Sequence, residues 1–240
     1  MVRKIIHSVV PEGLETTQNL NLSLLVGPDR FAYLVFTNQS ILKLTVYEWQ
    51  DEPELLTVLM KNLEADSIDL NKIKTIYLSV LSAVAIDYFS TDYNSNLKAI
   101  QFYFNSNFPS TQTKDCFGSM LSAFYAKYPL KFAIFSYWQS GKLFLWSLSY
   151  GAVENKISRE FRTAEDALYY VLHYYKQYNL SLEKDTLYLA GALSEDSAIF
   201  RLLYTYISKI EFVKNPTNLQ LNTEEDLADH VFFDILSATL

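Results

Sequence analysis

The chain is short of the residues that staple and punctuate small secreted domains. Its 240 residues include one cysteine, Cys116, with six glycines and six prolines. A single thiol excludes an internal disulfide and any thiolate metal cluster, and it fits a reducing compartment. Cys116 reads as a small buried hydrophobe. So few Gly and Pro leave no material for a long flexible linker. Basic clusters are missing too: the longest is Arg3-Lys4, and Lys72 and Lys74 merely alternate along a segment. A phosphate-tracking surface needs a basic patch, whereas the formal net charge is −7 and the pI about 5.0. Nucleic acid and anionic lipid headgroups are therefore not expected as partners.

Long hydrophobic runs are absent. The longest uncharged apolar stretch, residues 76–86, is well short of the ~20 residues a membrane-spanning helix needs. The apolar run after Arg3-Lys4 is too short for a signal-peptide core. The expectation is a cytoplasmic protein without a membrane span. The three histidines, His7, His173 and His230, are scattered, and none has zinc or iron spacing. Glu224-Glu225-Asp226 reads as the dipole-favoured start of a final helix from Thr223 rather than a metal cluster. No GxSxG elbow, Walker A loop or GxGxxG occurs. Neither a metal nor a cofactor is expected.

What is present is core material. Half of the residues are hydrophobic, with 18 Tyr and 16 Phe. That suffices for two small lobes. Strand character runs over 20–26, 31–36 and 41–47, broken by Gly27-Pro28-Asp29-Arg30 and Thr37-Asn38-Gln39-Ser40, both of hairpin length. Pro53 suits the first turn of a helix carrying Leu55, Leu56, Leu59, Met60 and Leu63. A fourth strand follows over 73–80, without clean alternation, as for a strand covered on both faces.

The second half repeats this order. Strands are expected over 132–138 and 143–149, joined by Gln139-Ser140-Gly141, and a third ends near Phe161. Thr163 and Asp166 frame a capping box for a helix to about Tyr178. A strand over 186–190 precedes Gly191, and Ser194 is the expected cap of the next helix, with Glu195 and Asp196 in its first turn. Helices are expected near 93–102 and 114–127. Pro129 places the boundary, giving lobes 1–128 and 129–240, with the C-terminal helix packing back on the first.

Two three-stranded meanders, each followed by a helix and a strand, form the plan of the actin, sugar-kinase and heat-shock-chaperone superfamily. The stretch from Phe161-Arg162-Thr163 to Leu168-Tyr169-Tyr170, with Leu187-Tyr188-Leu189-Ala190-Gly191 and Ser194-Glu195-Asp196-Ser197, resembles a bacterial family of unknown function assigned an actin-like ATPase fold. The similarity is best over 131–213. It implies a duplicated, two-lobed α/β fold related to ribonuclease H, each lobe β-β-β-α-β-α.

In working members each meander's first turn is a phosphate loop, with an acid ending the first strand and small residues behind it. The acid positions magnesium or water, and the small residues let backbone N–H groups approach the phosphates. Here Leu25 or Val26 takes the first acid's position, Pro28 removes a donor, and Asp29 lies past the glycine. The second loop, Ser136-Tyr137-Trp138-Gln139-Ser140-Gly141-Lys142, holds no acid. Ala190-Gly191-Ala192 partly keeps the adenosine motif. The resemblance thus implies a pseudo-ATPase scaffold that binds another protein or itself. The alternative is an ATP-binding protein or kinase with atypical loops. Any ligand is expected against Gly27, Asp29, Arg30, Gln139, Ser140, Gly141, Lys142 and Gly191, with Arg30 and Lys142 supplying positive charge, although rings of Tyr137 and Trp138 filling the cleft are the favoured reading. Tyr170, Tyr174 and Tyr178, at i, i+4 spacing, form a candidate interface row beside a sheet-facing stripe of Ala164, Leu168, Val171, Leu172 and Tyr175.

Overall fold

The computed structural model describes residues 2–7, 19–27, 30–38, 40–49, 54–80, 91–221 and 228–240, with the backbone path alone for 2–7, 49, 91–93 and 220–221. Pro28, Asp29, Pro53 and the helix start expected at Thr223 lie outside the described residues. Two compact units result. The first comprises residues 1–120, 217–227 and 235–240; the second comprises 121–216 and 228–234.

The first unit is built on β1 (Val2–His7), β2 (Leu20–Val26), β3 (Arg30–Phe36), β4 (Ser40–Trp49), β5 (Ile73–Val80) and β6 (Thr111–Asp115), in sheet order β1-β4-β3-β2-β5-β6. A short strand, β12 (Gln220–Leu221), adds to β4. β2 to β4 pair antiparallel, then β5 and β6 join parallel. Every residue of β2 and β3 is buried, which explains their near-continuous apolar sequence. Helix α1 (Leu55–Ala65) buries Leu55, Leu59 and Leu63 at i, i+4, i+8, and α2 (Thr91–Asn107) buries Leu97, Ile100 and Phe104. These side chains meet Leu22, Leu24, Phe31 and Tyr33 in one core.

The second unit follows the same plan: β7 (Phe132–Gln139), β8 (Lys142–Ser149), β9 (Ala152–Glu160), helix α4 (Ala164–Gln177), β10 (Leu187–Gly191), helix α5 (Ala198–Tyr206) and β11 (Ile210–Phe212). Its sheet order is β9-β8-β7-β10-β11, the counterpart of β4-β3-β2-β5-β6. The duplication read from element order is therefore present strand by strand. β9 is a mostly exposed edge carrying Glu154, Lys156, Arg159 and Glu160, which discourages pairing with another sheet. Helix α3 (Cys116–Lys127) precedes β7, and a 3₁₀ turn, Asp229–Phe232, leads into α6 (Phe233–Ser237).

Three expectations need correction, and one strand was not expected at all. Thr111–Asp115 is a strand, so the helix expected from Lys114 begins at Cys116. β1 was not anticipated, because Arg3-Lys4 hides a strand that β4 alone specifies by pairing. Ser197, not Ser194, caps α5: its hydroxyl accepts from the Phe200 N–H at 3.1 Å, while Ser194 turns to Asp196 at 2.5 Å. On α4 the buried face is Ala167, Val171, Tyr174 and Tyr175, whereas Ala164, Leu168 and Leu172 are half-buried. The helix is rotated so that one tyrosine of the supposed wet row enters the core. The capping box itself is as expected, with the Asp166 N–H on Thr163 at 3.1 Å and the Thr163 N–H on Asp166 at 3.2 Å.

Candidate functional site

In open α/β sheets ligands bind outside the carboxyl ends of parallel strands. In the second unit β7 and β10 are parallel neighbours, and Trp138 stands opposite Gly191 at their carboxyl ends. The candidate site therefore contains the β7–β8 turn and the β10 terminus. Ser140 and Gly141 form that turn with φ of 44° and 75°, so both central residues are left-handed, as a two-residue type I′ hairpin requires. The Gly141 carbonyl accepts from the Phe161 N–H at 2.8 Å, tying the turn to the exit of β9. Lys142 Nζ lies 3.9 Å from Glu160 Oε1, a partly exposed pair of little energetic weight.

Successive residues of β7 point to opposite faces. Trp138 enters the core beneath α4 and α5, 1% exposed, among Val171, Tyr174 and Leu203. Its indole N–H donates to Ser136 Oγ at 2.9 Å, and that hydroxyl donates to the Tyr188 carbonyl at 2.8 Å. Trp138 thus packs in the core of its own unit, not as filling of an open site. Tyr137 points the other way, fully buried, with its hydroxyl 2.5 Å from Asp234 Oδ2 and 2.9 Å from Gln139 Oε1. A phenol has one proton to give, and the short contact to the carboxylate takes it. Asp234 is 1% exposed on α6. An acid therefore does stand beside the second loop. It comes from nearly a hundred residues downstream, 97 from Tyr137, which no local motif could reveal.

Gly191 closes the other side. Its φ is +93°, and a Cβ there would lie 2.1 Å from the Trp138 carbonyl oxygen. The Ala192 N–H donates to that same oxygen at 2.8 Å. The glycine is thus required by the close approach of two backbones. Beyond it, the Leu193 carbonyl lies 2.6 Å from His230 Nε2, which must donate, since a carbonyl only accepts. Burial holds the His230 imidazole below its ordinary range, and the Leu193 bond with nearby Asp229 and Glu195 opposes that shift in part.

In the first unit Gly27 ends β2, and its N–H donates to the Arg30 carbonyl at 2.8 Å, closing the equivalent turn. Arg30 is 4% exposed and stands opposite Glu48 in the ladder, so it is held in the sheet rather than presented to water. Asp29 lies outside the described residues. Another polar centre in this unit escaped the sequence. Asp66, at the C-cap of α1, receives hydroxyl bonds from Tyr33 and Tyr47, the latter at 3.1 Å, and lies 3.3 Å from Lys43 Nζ. A carboxylate opposes the helix dipole at that end, and these three donors offset it. On α4, Tyr174 is fully buried with its hydroxyl on the Asn155 carbonyl at 3.1 Å, and burial pushes that hydroxyl up to about 12. Tyr170 and Tyr178 are half-buried against the same core. The exposed tyrosine of this helix is Tyr169, stacked on the likewise exposed His173. Among the described residues no three His, Cys, Asp or Glu side chains converge as metal ligands, and no helix is long and apolar enough to cross a membrane.

Two units of this topology define an actin-like ATPase fold. A Bacteroides thetaiotaomicron protein with an actin-like ATPase fold and unknown function superposes with a TM-score of 0.65 at 18% identity, over 87% of this chain and 95% of its own. The PilM-PilN type IV pilus biogenesis complex contains a chain matching at 0.60 and 12% identity, over 91% and 97%. The activator of 2-hydroxyisocaproyl-CoA dehydratase from Clostridium difficile, solved with bound ADPNP, matches at 0.50 and 8%, over 91% and 92%. At these identities the likeness shows the fold. A search of curated proteins finds no match. Residues 90–210 match the model of a protein family of unknown function, DUF3822, and the chain belongs to that family.

Proposed function

We propose that this chain is a non-catalytic actin-like scaffold that binds another protein, its phosphate loops having become structural turns. One observation carries the reading: at the β7–β8 turn the Tyr137 hydroxyl is locked onto the buried Asp234 carboxylate. Where a working member keeps its acid open to magnesium and water, this acid is closed off and already hydrogen-bonded. The fold supports protein binding as a role, since PilM, a neighbour in structure, is found in complex with PilN. The partner face proposed on α4 rests on Tyr170 and Tyr178 with Tyr169 beside them, while Tyr174 supplies packing. A cytoplasmic location belongs to the same proposal.

A second reading, nucleotide binding without standard loops, is favoured by Asp234 itself and by Gly27, Gly141 and Gly191 at the matching positions. Its ligand would lie against the β7–β8 turn and Gly191, with Gln139, Ser140 and Lys142. The two readings separate in a thermal-shift measurement with Mg·ATP and with ADP. Binding at a hundredfold excess over Kd stabilises by about 2.7 kcal/mol. The scaffold reading expects no shift, and a saturable one overturns it.

A further inference from the structure

A groove of about 430 Å³ opens in the first unit between the C-terminal ends of α1 and α2. Its floor includes Met60, Ile68, Tyr103 and Phe108, and its rim carries Lys61, Glu64 and Asp69. Next in sequence to Tyr103 of that lining is Phe102 on α2, 75% exposed, the most exposed large hydrophobic side chain of the described residues. One turn earlier on that face is exposed Lys98. An aromatic knob with a cation one turn away thus adjoins an apolar hole with two acids on its rim. With Lys61 counted, the two acids still leave the rim net negative, opposite in sign to Lys98, and both halves belong to one unit of one chain. A surface that offers both halves of a contact is what a two-fold pair of identical chains requires.

We propose that a second copy of this chain docks here, each copy inserting Phe102 into the other's groove and carrying Lys98 to Glu64 and Asp69. The interface is reciprocal, with two equivalent contacts per pair. The inference goes beyond the scaffold reading and is independent of what the second unit binds. Buried aromatic anchors dominate such contacts, and the surrounding charges set partner and register.

Sedimentation velocity over a concentration series tests it. The wild type should show a monomer–dimer equilibrium, and Phe102→Glu should weaken it by roughly tenfold or more. At a concentration low enough for both proteins to be monomeric the melting temperature should stay unchanged, because an exposed side chain contributes little to the fold. Lys98→Glu alone, and Glu64→Lys with Asp69→Asn alone, should each weaken the dimer. Asparagine at 69 keeps the bond that Asp69 accepts from the Asn71 N–H. An equimolar mixture of these two variants should restore association, since each knob then meets an opposite rim. A wild type that stays monomeric throughout overturns the proposal. So does a Phe102→Glu chain that associates as before, or a mixture that fails to restore.

Discussion

Replacing Gly191 with alanine places a methyl carbon 2.1 Å from the Trp138 carbonyl oxygen and 2.9 Å from its nitrogen. Contacts under 3.0 Å essentially never occur for a real Cβ, and here the obstacle is backbone, which cannot swing aside. Holding an alanine at φ +93° costs about 1–3 kcal/mol by itself. Relieving the clash requires β10 to part from β7 at its last rungs. That sacrifices the 2.8 Å bond from Ala192 to Trp138, worth about 1–3 kcal/mol once a buried group is left unmet. The sum is about 2–6 kcal/mol, a large share of a stability of about 5–15 kcal/mol. Urea denaturation followed by tryptophan fluorescence should show the midpoint lowered by about 1–3 M for a slope near 2 kcal/mol/M. Gly118→Ala is the control. It lies within α3, and its new methyl meets Asp115 Oδ2, the end of a flexible side chain, at 3.1 Å. Helix propensity favours that change by up to about 1 kcal/mol. A Gly191→Ala protein that loses less than about 1 kcal/mol, or that folds normally while losing a nucleotide shift, would refute the structural account of this glycine.

Three other outcomes follow from the site. Trp138→Ala should cost about 3–5 kcal/mol in the same assay, since it empties the core beneath α4. Tyr137→Phe removes the proton given to a buried carboxylate and should cost about 1.5–3 kcal/mol, more than Tyr178→Phe, whose hydroxyl contact is exposed. The His230 pKa is lower folded than unfolded, so the unfolded chain binds that proton first. Its contribution is full above the ordinary value of about 6.5 and is lost as pH falls through the folded one. Denaturation midpoints should therefore fall from about pH 7 to about pH 5, and His230→Gln should flatten that slope.

The sequence is most legible where one strand is buried on both faces or where a cap is local. β2 and β5 have the expected bounds, and the Thr163–Asp166 box starts α4 where it should. β6 is illegible because Thr111-Gln112-Thr113-Lys114-Asp115 carries no apolar period. It is a strand only because β5 offers it a ladder. Periodicity located α4 but not its rotation, because a tyrosine is equally at home in a core and at a rim, and Tyr174 chose the core. The candidate turns were found from fold order. The Asp234 and Asp66 centres were not, because each is assembled by residues far apart in sequence that only packing brings together.

Synthesis proceeds from the N-terminus, and the duplication has an unequal consequence for it. The β7–β10 sheet can pair as soon as Gly191 is made, yet Tyr137 receives its acceptor and Leu193 its donor only when Asp234 and His230 emerge, well after β11. Until then the Leu193 carbonyl must be served by water, and the Tyr137 phenol by water or by the neighbouring Gln139 amide. The interval between making a sheet and finishing it is the time in which a chaperone would find this protein open.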